Sequence, residues 1–172
     1  MSDKKLDDII EPLKIAVALE QEGKKMFLQA AAETKSKLAK QTFEFLANEE
    51  DRHIENIEDF YRKIEASDGA EIPDVEESTA HVRLEEFNDF LEQIKDEYKV
   101  TGTDLEAYQM ALKFESGAED FYEKKFHDTE DPRVKKIYQW LIMEESMHTR
   151  LINSCIKFID DPAGWFKARK KK

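Results

Sequence analysis

The chain has 172 residues, enough for one well-buried domain and too few for two of ordinary size. Its 40% hydrophobic and 38% charged content, with only five glycines and four prolines, favours long amphipathic helices over a turn-rich sheet protein. The net charge of −12 argues against general nucleic-acid binding, although residues 167–172 form a basic tail. The single cysteine, Cys155, excludes an internal disulfide and a cysteine-bound iron–sulfur or rubredoxin-type centre.

The amino terminus lacks the apolar core of a signal peptide, and no run approaches the roughly 18 apolar residues of a membrane-spanning helix. Together with the lone cysteine, this pattern predicts a cytoplasmic protein in a reducing compartment. No membrane partner and no nucleic-acid partner are expected.

The first half of the chain is predicted to be a helical hairpin. Apolar residues recur at spacings of three and four over residues 9–30 and again over residues 43–64, with a polar break at residues 34–36. Glu20 lies inside the first apolar stripe, and Glu50 and His53 lie inside the second. Residues of the kind that ligate metals are therefore expected on the buried face.

A long crossover over residues 67–102 separates the halves. Glycine, proline and acidic residues over 67–80 are typical of a surface connection. The apolar stripe from Leu84 to Tyr98 predicts an accessory helix that ends at Gly102.

The second half repeats the hairpin pattern. A capping box beginning at Thr103 predicts the start of the third main helix. An Asp-Pro pair at residues 131–132 predicts the start of the fourth. A second pair at residues 161–162 predicts a short terminal helix that contains Trp165.

Each half carries one Glu-x-x-His motif and one lone glutamate. Residues three apart share a helix face, so the Glu and His of each motif project together. An offset of 95 residues relates the two copies and also pairs Phe27 with Tyr122. The sequence therefore predicts a single domain, residues 1–172, with an internal repeat of residues 8–66 and 103–160. The chemistry-bearing positions are Glu20, Glu50, His53, Glu115, Glu145 and His148.

The four glutamates are predicted to share one depth. In antiparallel hairpins Glu20 and Glu50 are equidistant from residue 35, and Glu115 and Glu145 are equidistant from residue 130, each roughly 22 Å from its turn. Buried carboxylates repel and are costly to desolvate, whereas two divalent cations would neutralise four of them. Two lone glutamates plus two Glu-x-x-His motifs form the ligand pattern of ferritin-like carboxylate-bridged dinuclear sites.

On these residues the chain resembles the rubrerythrin branch of the ferritin-like superfamily over roughly residues 8–160. The resemblance implies an all-α fold, a ferritin-like antiparallel four-helix bundle of two hairpins with a long crossover and a short C-terminal helix. The segments that carry it are AVALEQEGKKMF (16–27), FEFLANEEDRH (43–53), ALKFESGAEDFY (111–122) and WLIMEESMH (140–148).

The resemblance also implies two iron ions held by the six residues above, with Glu50 and Glu145 bridging. It implies a catalytic role for Tyr122 from just behind the ligands, whereas its position on the apolar stripe fits a buried core tyrosine equally well. The sequence departs from the family pattern at Ala118, where many members have a further glutamate that allows redox-linked ligand exchange; its nearest carboxylate is Glu119. Phe27 replaces a frequent tyrosine, and no rubredoxin domain is present in this sequence.

The expected function is therefore that of a non-haem di-iron oxidoreductase that reduces hydrogen peroxide or dioxygen in oxidative-stress defence. Electrons would come from a separate donor such as a rubredoxin, and a homodimer or larger homo-oligomer is expected. A ferroxidase or iron-handling protein, a dimanganese catalase and a non-catalytic metal-binding bundle remain alternatives, because carboxylate and imidazole ligands also accept manganese and zinc.

Three small residues have simpler interpretations. Gly23 and Gly117 could leave room for a small ligand beside the metals, but tolerance by helix packing is favoured. Cys155 lies on an apolar stripe and is interpreted as a core residue.

Overall fold

The computed structural model describes residues 3–69, 73, 75, 78–94 and 102–169, and these residues form six helices and no strand. The helices are α1 Asp3–Glu33, α2 Lys37–Ala66, α3 Ala80–Ile94, α4 Gly102–Asp128, α5 Pro132–Asp160 and α6 Pro162–Arg169. Helices α1 and α2 pack along each other as one hairpin, and α4 and α5 pack as the other. The predicted all-α bundle of two hairpins is confirmed. No helix among these residues is long and apolar enough to span a bilayer.

Both hairpin turns lie where the sequence predicts them. The Ser36 hydroxyl accepts a hydrogen bond from the Ala39 backbone N–H at 3.2 Å, which caps the start of α2. Asp131 caps α5 by accepting from the Arg133 backbone N–H at 2.9 Å, with Pro132 at the first helical position. These side chains pair backbone donors that the first helical turn leaves unsatisfied, so each helix begins at its cap.

The crossover contains the predicted accessory helix, but the first and last residues of this helix differ from the prediction. Helix α3 begins at Ala80, before the first apolar stripe residue, and its last described residue is Ile94. Tyr98 lies outside the described residues. Gly102, predicted to end the accessory helix, is instead the first residue of α4. Helix ends shift by one or two residues because terminal turns fray, and here α4 starts one residue before the capping box.

The basic tail begins as part of a helix. Residues 167–169 form the end of α6, and residues 170–172 lie outside the described residues. Arg169 contacts Asp89 at 2.8 Å and Glu92 at 2.9 Å, both on α3. These half-exposed ion pairs connect α6 to α3.

Two apolar clusters fill the bundle, one toward each end. The first includes Phe27, Phe43 and Leu151, and the second includes Leu13 and Ile57. Helices α1, α2, α4 and α5 each contribute residues to both clusters, and the Glu and His positions singled out from the sequence lie where the two clusters meet. The fold therefore places a narrow polar layer inside an otherwise apolar core.

Candidate metal centre

All six residues predicted to bind metal lie in this polar layer. Helices α1 and α4 contribute the lone glutamates, whereas α2 and α5 contribute the Glu-x-x-His motifs. Each of the six residues is at most 2% exposed. Because each main helix is amphipathic, burying its apolar stripe also buries the polar residue inside that stripe.

The polar layer consists of two overlapping groups of potential ligands. One group contains Glu20 and His53, the other contains Glu115 and His148, and both include the same pair, Glu50 and Glu145. One ligand atom from every member of a group lies within 4.8 Å of the others. Two carboxylates common to both groups are the arrangement that a carboxylate-bridged pair of metal ions requires.

Both histidines direct the same ring nitrogen at the glutamates. Nδ1 of His53 lies 2.8 Å from Glu20 Oε2 and 3.3 Å from Glu145 Oε1. Nδ1 of His148 lies 3.2 Å from Glu115 Oε1 and 3.3 Å from Glu145 Oε2. The rings stack with their centroids 5.1 Å apart. Nδ1 of each ring is therefore the nitrogen available to a cation, and Nε2 points away.

Several buried oxygens in this layer lack protein hydrogen-bond partners. Among the described residues these are both carboxylate oxygens of Glu115, both of Glu145, and Oε1 of Glu50. Unpaired buried carboxylate oxygens are costly, and native proteins rarely retain them without an ion or water. Carboxylate oxygen and imidazole nitrogen together suit divalent iron, manganese or zinc. The donor set thus fits a metal site.

The electrostatics of the layer also favour added positive charge. Burial, then repulsion from Glu145 and Glu50, raises the pKa of Glu20 well above its usual value. Burial and repulsion from Glu145 do the same to the pKa of Glu115. Burial alone would lower the pKa of both histidines, but the surrounding carboxylates raise it well above the ordinary range. A divalent cation would therefore compete with protons for this layer.

Tyr122 touches one potential ligand directly. Its fully buried hydroxyl donates a short hydrogen bond to Glu20 Oε1, while the other oxygen of Glu20 faces His53. Burial, together with the Glu20 charge, raises the pKa of Tyr122 well above its usual value, so the phenol keeps its proton. Its counterpart Phe27 packs against Phe43 and has no hydroxyl to donate. Only one lone glutamate therefore has this tyrosine support in the described structure.

Comparison with known families gives an assignment. The rubrerythrin family model matches residues 11–156. The chain belongs to the rubrerythrin family. The matched range covers most of both hairpins and all six potential ligands. Comparisons with curated proteins and with solved structures return no match. The family and the buried Glu/His layer together indicate a metal-binding protein.

Among the described residues, this rubrerythrin-family chain has no fifth carboxylate in either ligand group. Ala118 is 4% exposed and packs in the second apolar cluster. Glu119, the nearest carboxylate in sequence, is partly exposed and hydrogen-bonds Ser146. Among the described residues, neither ligand group includes Glu119.

The two helical glycines have different surroundings. A Cβ added at Gly23 would lie 2.9 Å from Cε1 of Phe114 and 3.4 Å from Cδ of Glu50. A Cβ added at Gly117 would meet nothing within 4 Å. Gly23 therefore lets the Phe114 ring lie close against α1 beside a potential ligand, while Gly117 has open space and no such packing role.

We expect opposite stability changes from alanine at these two positions. Gly117→Ala should raise the free energy of unfolding by about 0.5–1 kcal/mol, because alanine is the better helix former. Gly23→Ala should lower it by roughly 1–3 kcal/mol, because the new methyl group overpacks against Phe114. Urea unfolding of both proteins measures the difference. Equal gains from both substitutions would show that the Phe114 ring moves aside freely.

Sequence reasoning missed four further charged residues next to the site. Glu49 and Glu144 precede the motif glutamates and are 7% and 0% exposed, and they contact Arg52 and Arg83. The 95-residue offset between the two glutamates was an available signal. Burial alone would raise the pKa of Glu144, but contacts with His53, Ser78 and Arg52 lower it to about 2. Glu144 is therefore a buried carboxylate that stays ionised.

Proposed function

We propose that this chain is a cytoplasmic non-haem di-iron oxidoreductase that reduces hydrogen peroxide or dioxygen with electrons from a separate donor protein. The observation that carries the proposal is the pair of ligand groups sharing Glu50 and Glu145. A single-ion site would need one group. Two groups with common carboxylates suit two adjacent ions, which is the arrangement needed for a two-electron reaction.

The proposed ligand assignment follows the grouping. Glu20 and His53 would hold one ion, Glu115 and His148 would hold the other, and the shared pair would bridge them. Four carboxylates and two neutral imidazoles balance two divalent ions, so the core would carry no net charge. That balance removes the desolvation penalty that four unpaired carboxylates would impose.

The protein around the ions would control protons and water. A dinuclear iron centre supplies one electron per ion, and two electrons with two protons convert hydrogen peroxide into two water molecules. The Tyr122 hydroxyl hydrogen-bonds Glu20 and so holds a proton beside the site. Apolar clusters on both sides exclude bulk water. Tyr122 is proposed to orient Glu20 and to keep its carboxylate in place while the charge of the site changes.

Anaerobic loading with Fe(II), metal counting and stopped-flow mixing test this proposal. We expect about two iron ions per chain, rapid oxidation by hydrogen peroxide, slower oxidation by dioxygen, and iron that stays bound. Oxidation by dioxygen followed by iron release would instead identify a ferroxidase. Sustained oxygen evolution from peroxide by the manganese-loaded protein would identify a catalase. Loading without any reaction would leave a non-catalytic metal-binding bundle.

A further inference from the structure

A partly buried cluster of opposite charges lies directly behind His53. We call Glu49, Arg52, Arg83 and Glu144 the arginine–glutamate cluster. Nη2 of Arg52 and Nη2 of Arg83 both donate short hydrogen bonds to Oε2 of Glu144. Nε of Arg83 lies 2.5 Å from Oε2 of Glu49, and Nη2 of Arg52 lies 3.3 Å from the same oxygen. Two guanidinium groups thus hold two carboxylates in fixed positions.

Glu144 connects this cluster to His53. Its Oε2 atom lies 3.5 Å from Nε2 of His53, within ion-pair distance although no hydrogen bond is formed, while Nδ1 faces the potential ligands. The Glu144 side chain is 0% exposed, and the Ser78 hydroxyl also contacts it. With two guanidinium partners Glu144 is an acceptor, so the histidine proton belongs on Nε2. A carboxylate behind a metal-binding imidazole fixes its tautomer and increases its basicity.

The corresponding nitrogen of His148 has no such support. Within the described part of the chain, Nε2 of both histidines is buried without a hydrogen-bond partner, but only Nε2 of His53 has a carboxylate within 4.0 Å. The 95-residue offset makes Glu49 the counterpart of Glu144, but the carboxylate of Glu49 turns to Arg52 and Arg83. Arg83 comes from α3, in the crossover and outside the predicted repeat. The crossover helix therefore makes the surroundings of the two histidines unequal.

We propose that Glu144 is a positioning residue for His53, and that the two metal positions consequently differ in affinity, with the position at His53 binding more tightly. This inference rests on the proposed dinuclear site. It adds that a helix outside the two hairpins, through Arg83, sets which position fills first. Arg83 and Arg52 act on the imidazole only through Glu144, so the carboxylate is the group to remove.

Equilibrium titration with Co(II), followed by its visible absorption and by metal counting, tests the inference. The wild-type protein should fill in two distinguishable steps. Glu144→Gln keeps the shape of the side chain but weakens its acceptor, and should reduce the affinity of the tighter step about 10–100-fold while leaving the weaker step unchanged. Glu49→Gln is the matched control, because it alters the same cluster without contacting His53, and both steps should stay near their wild-type values.

Arg83→Gln provides a second route if Glu144→Gln does not fold, as judged by circular dichroism. It leaves Glu144 in place with one guanidinium partner fewer, and should weaken the tighter step relative to the wild type while leaving the weaker step unchanged. Two steps of equal affinity in the wild type, or equal losses of affinity in the Glu144→Gln and Glu49→Gln proteins, would overturn this inference and leave the proposed dinuclear function standing. Fewer than two ions bound by the wild type would overturn the proposed dinuclear function as well.

Discussion

The Glu145→Ala protein is expected to retain fewer than one metal ion per chain under conditions in which the wild type retains about two. Glu145 belongs to both ligand groups, and both of its oxygens lack hydrogen-bond partners among the described residues. Removing it takes one ligand and one negative charge from each metal position at once. Glu50→Ala should have the same consequence, because Glu50 is the other shared carboxylate.

Two comparison variants make this result specific. Glu20→Ala removes a ligand from only one group, so the protein should retain about one ion per chain. Glu119→Ala removes a partly exposed carboxylate that belongs to neither group, so it should retain about two. Metal content is measured by elemental analysis after anaerobic loading and desalting, and circular dichroism reports the helical fold. Two retained ions in the Glu145→Ala protein would contradict the shared-ligand assignment.

The potential ligands could be identified from sequence because their positions follow local helical rules. The spacing of three and four fixes which side chains share a face, and the offset of 95 residues pairs the two halves. The hairpin turns were likewise predictable, since Ser36 and Asp131 cap helices through bonds to residues two or three positions away. The internal repeat and single-domain organisation stay predictions.

The contacts that sequence did not predict join residues far apart in the chain. Arg83 reaches Glu49 and Glu144 from α3, and nothing in the local pattern of the crossover specifies which face of the bundle that helix covers. The packing of Phe114 against Gly23 likewise depends on how α4 approaches α1. Such contacts are set by the relative placement of helices, whereas capping and periodicity report only on each helix itself.

Metal loading is expected to raise the thermal unfolding midpoint by roughly 15–30 °C. A site occupied at about 1,000 times its dissociation constant stabilises the folded state by about 4 kcal/mol, so two sites contribute about 8 kcal/mol. For a chain of this size each kcal/mol shifts the midpoint by about 2–4 °C. The gain should disappear when a chelator removes the metal. Differential scanning calorimetry of the loaded and chelated protein measures the shift.

The Glu20→Gln/Glu115→Gln double variant separates metal binding from packing. Folding raises the pKa of both glutamates, chiefly through burial, so their ionisation destabilises the folded state at pH values above the unfolded pKa of about 4.3. Glutamine removes that penalty while keeping the side-chain shape. At pH 7 the metal-free double variant should therefore unfold at or above the wild-type midpoint, and its advantage should shrink as the pH falls toward about 4.

The same double variant should lose most of the midpoint increase on metal loading, since each ligand group has lost one carboxylate. The two substitutions would then maintain or raise the unfolding midpoint of the metal-free protein but reduce the increase in midpoint that metal loading brings. This combination is expected only if the glutamates are retained to bind a cation. If the double variant instead unfolded well below the wild type without metal, Glu20 and Glu115 would be holding the bundle together through their own hydrogen bonds, and the metal assignment would lose its main physical support.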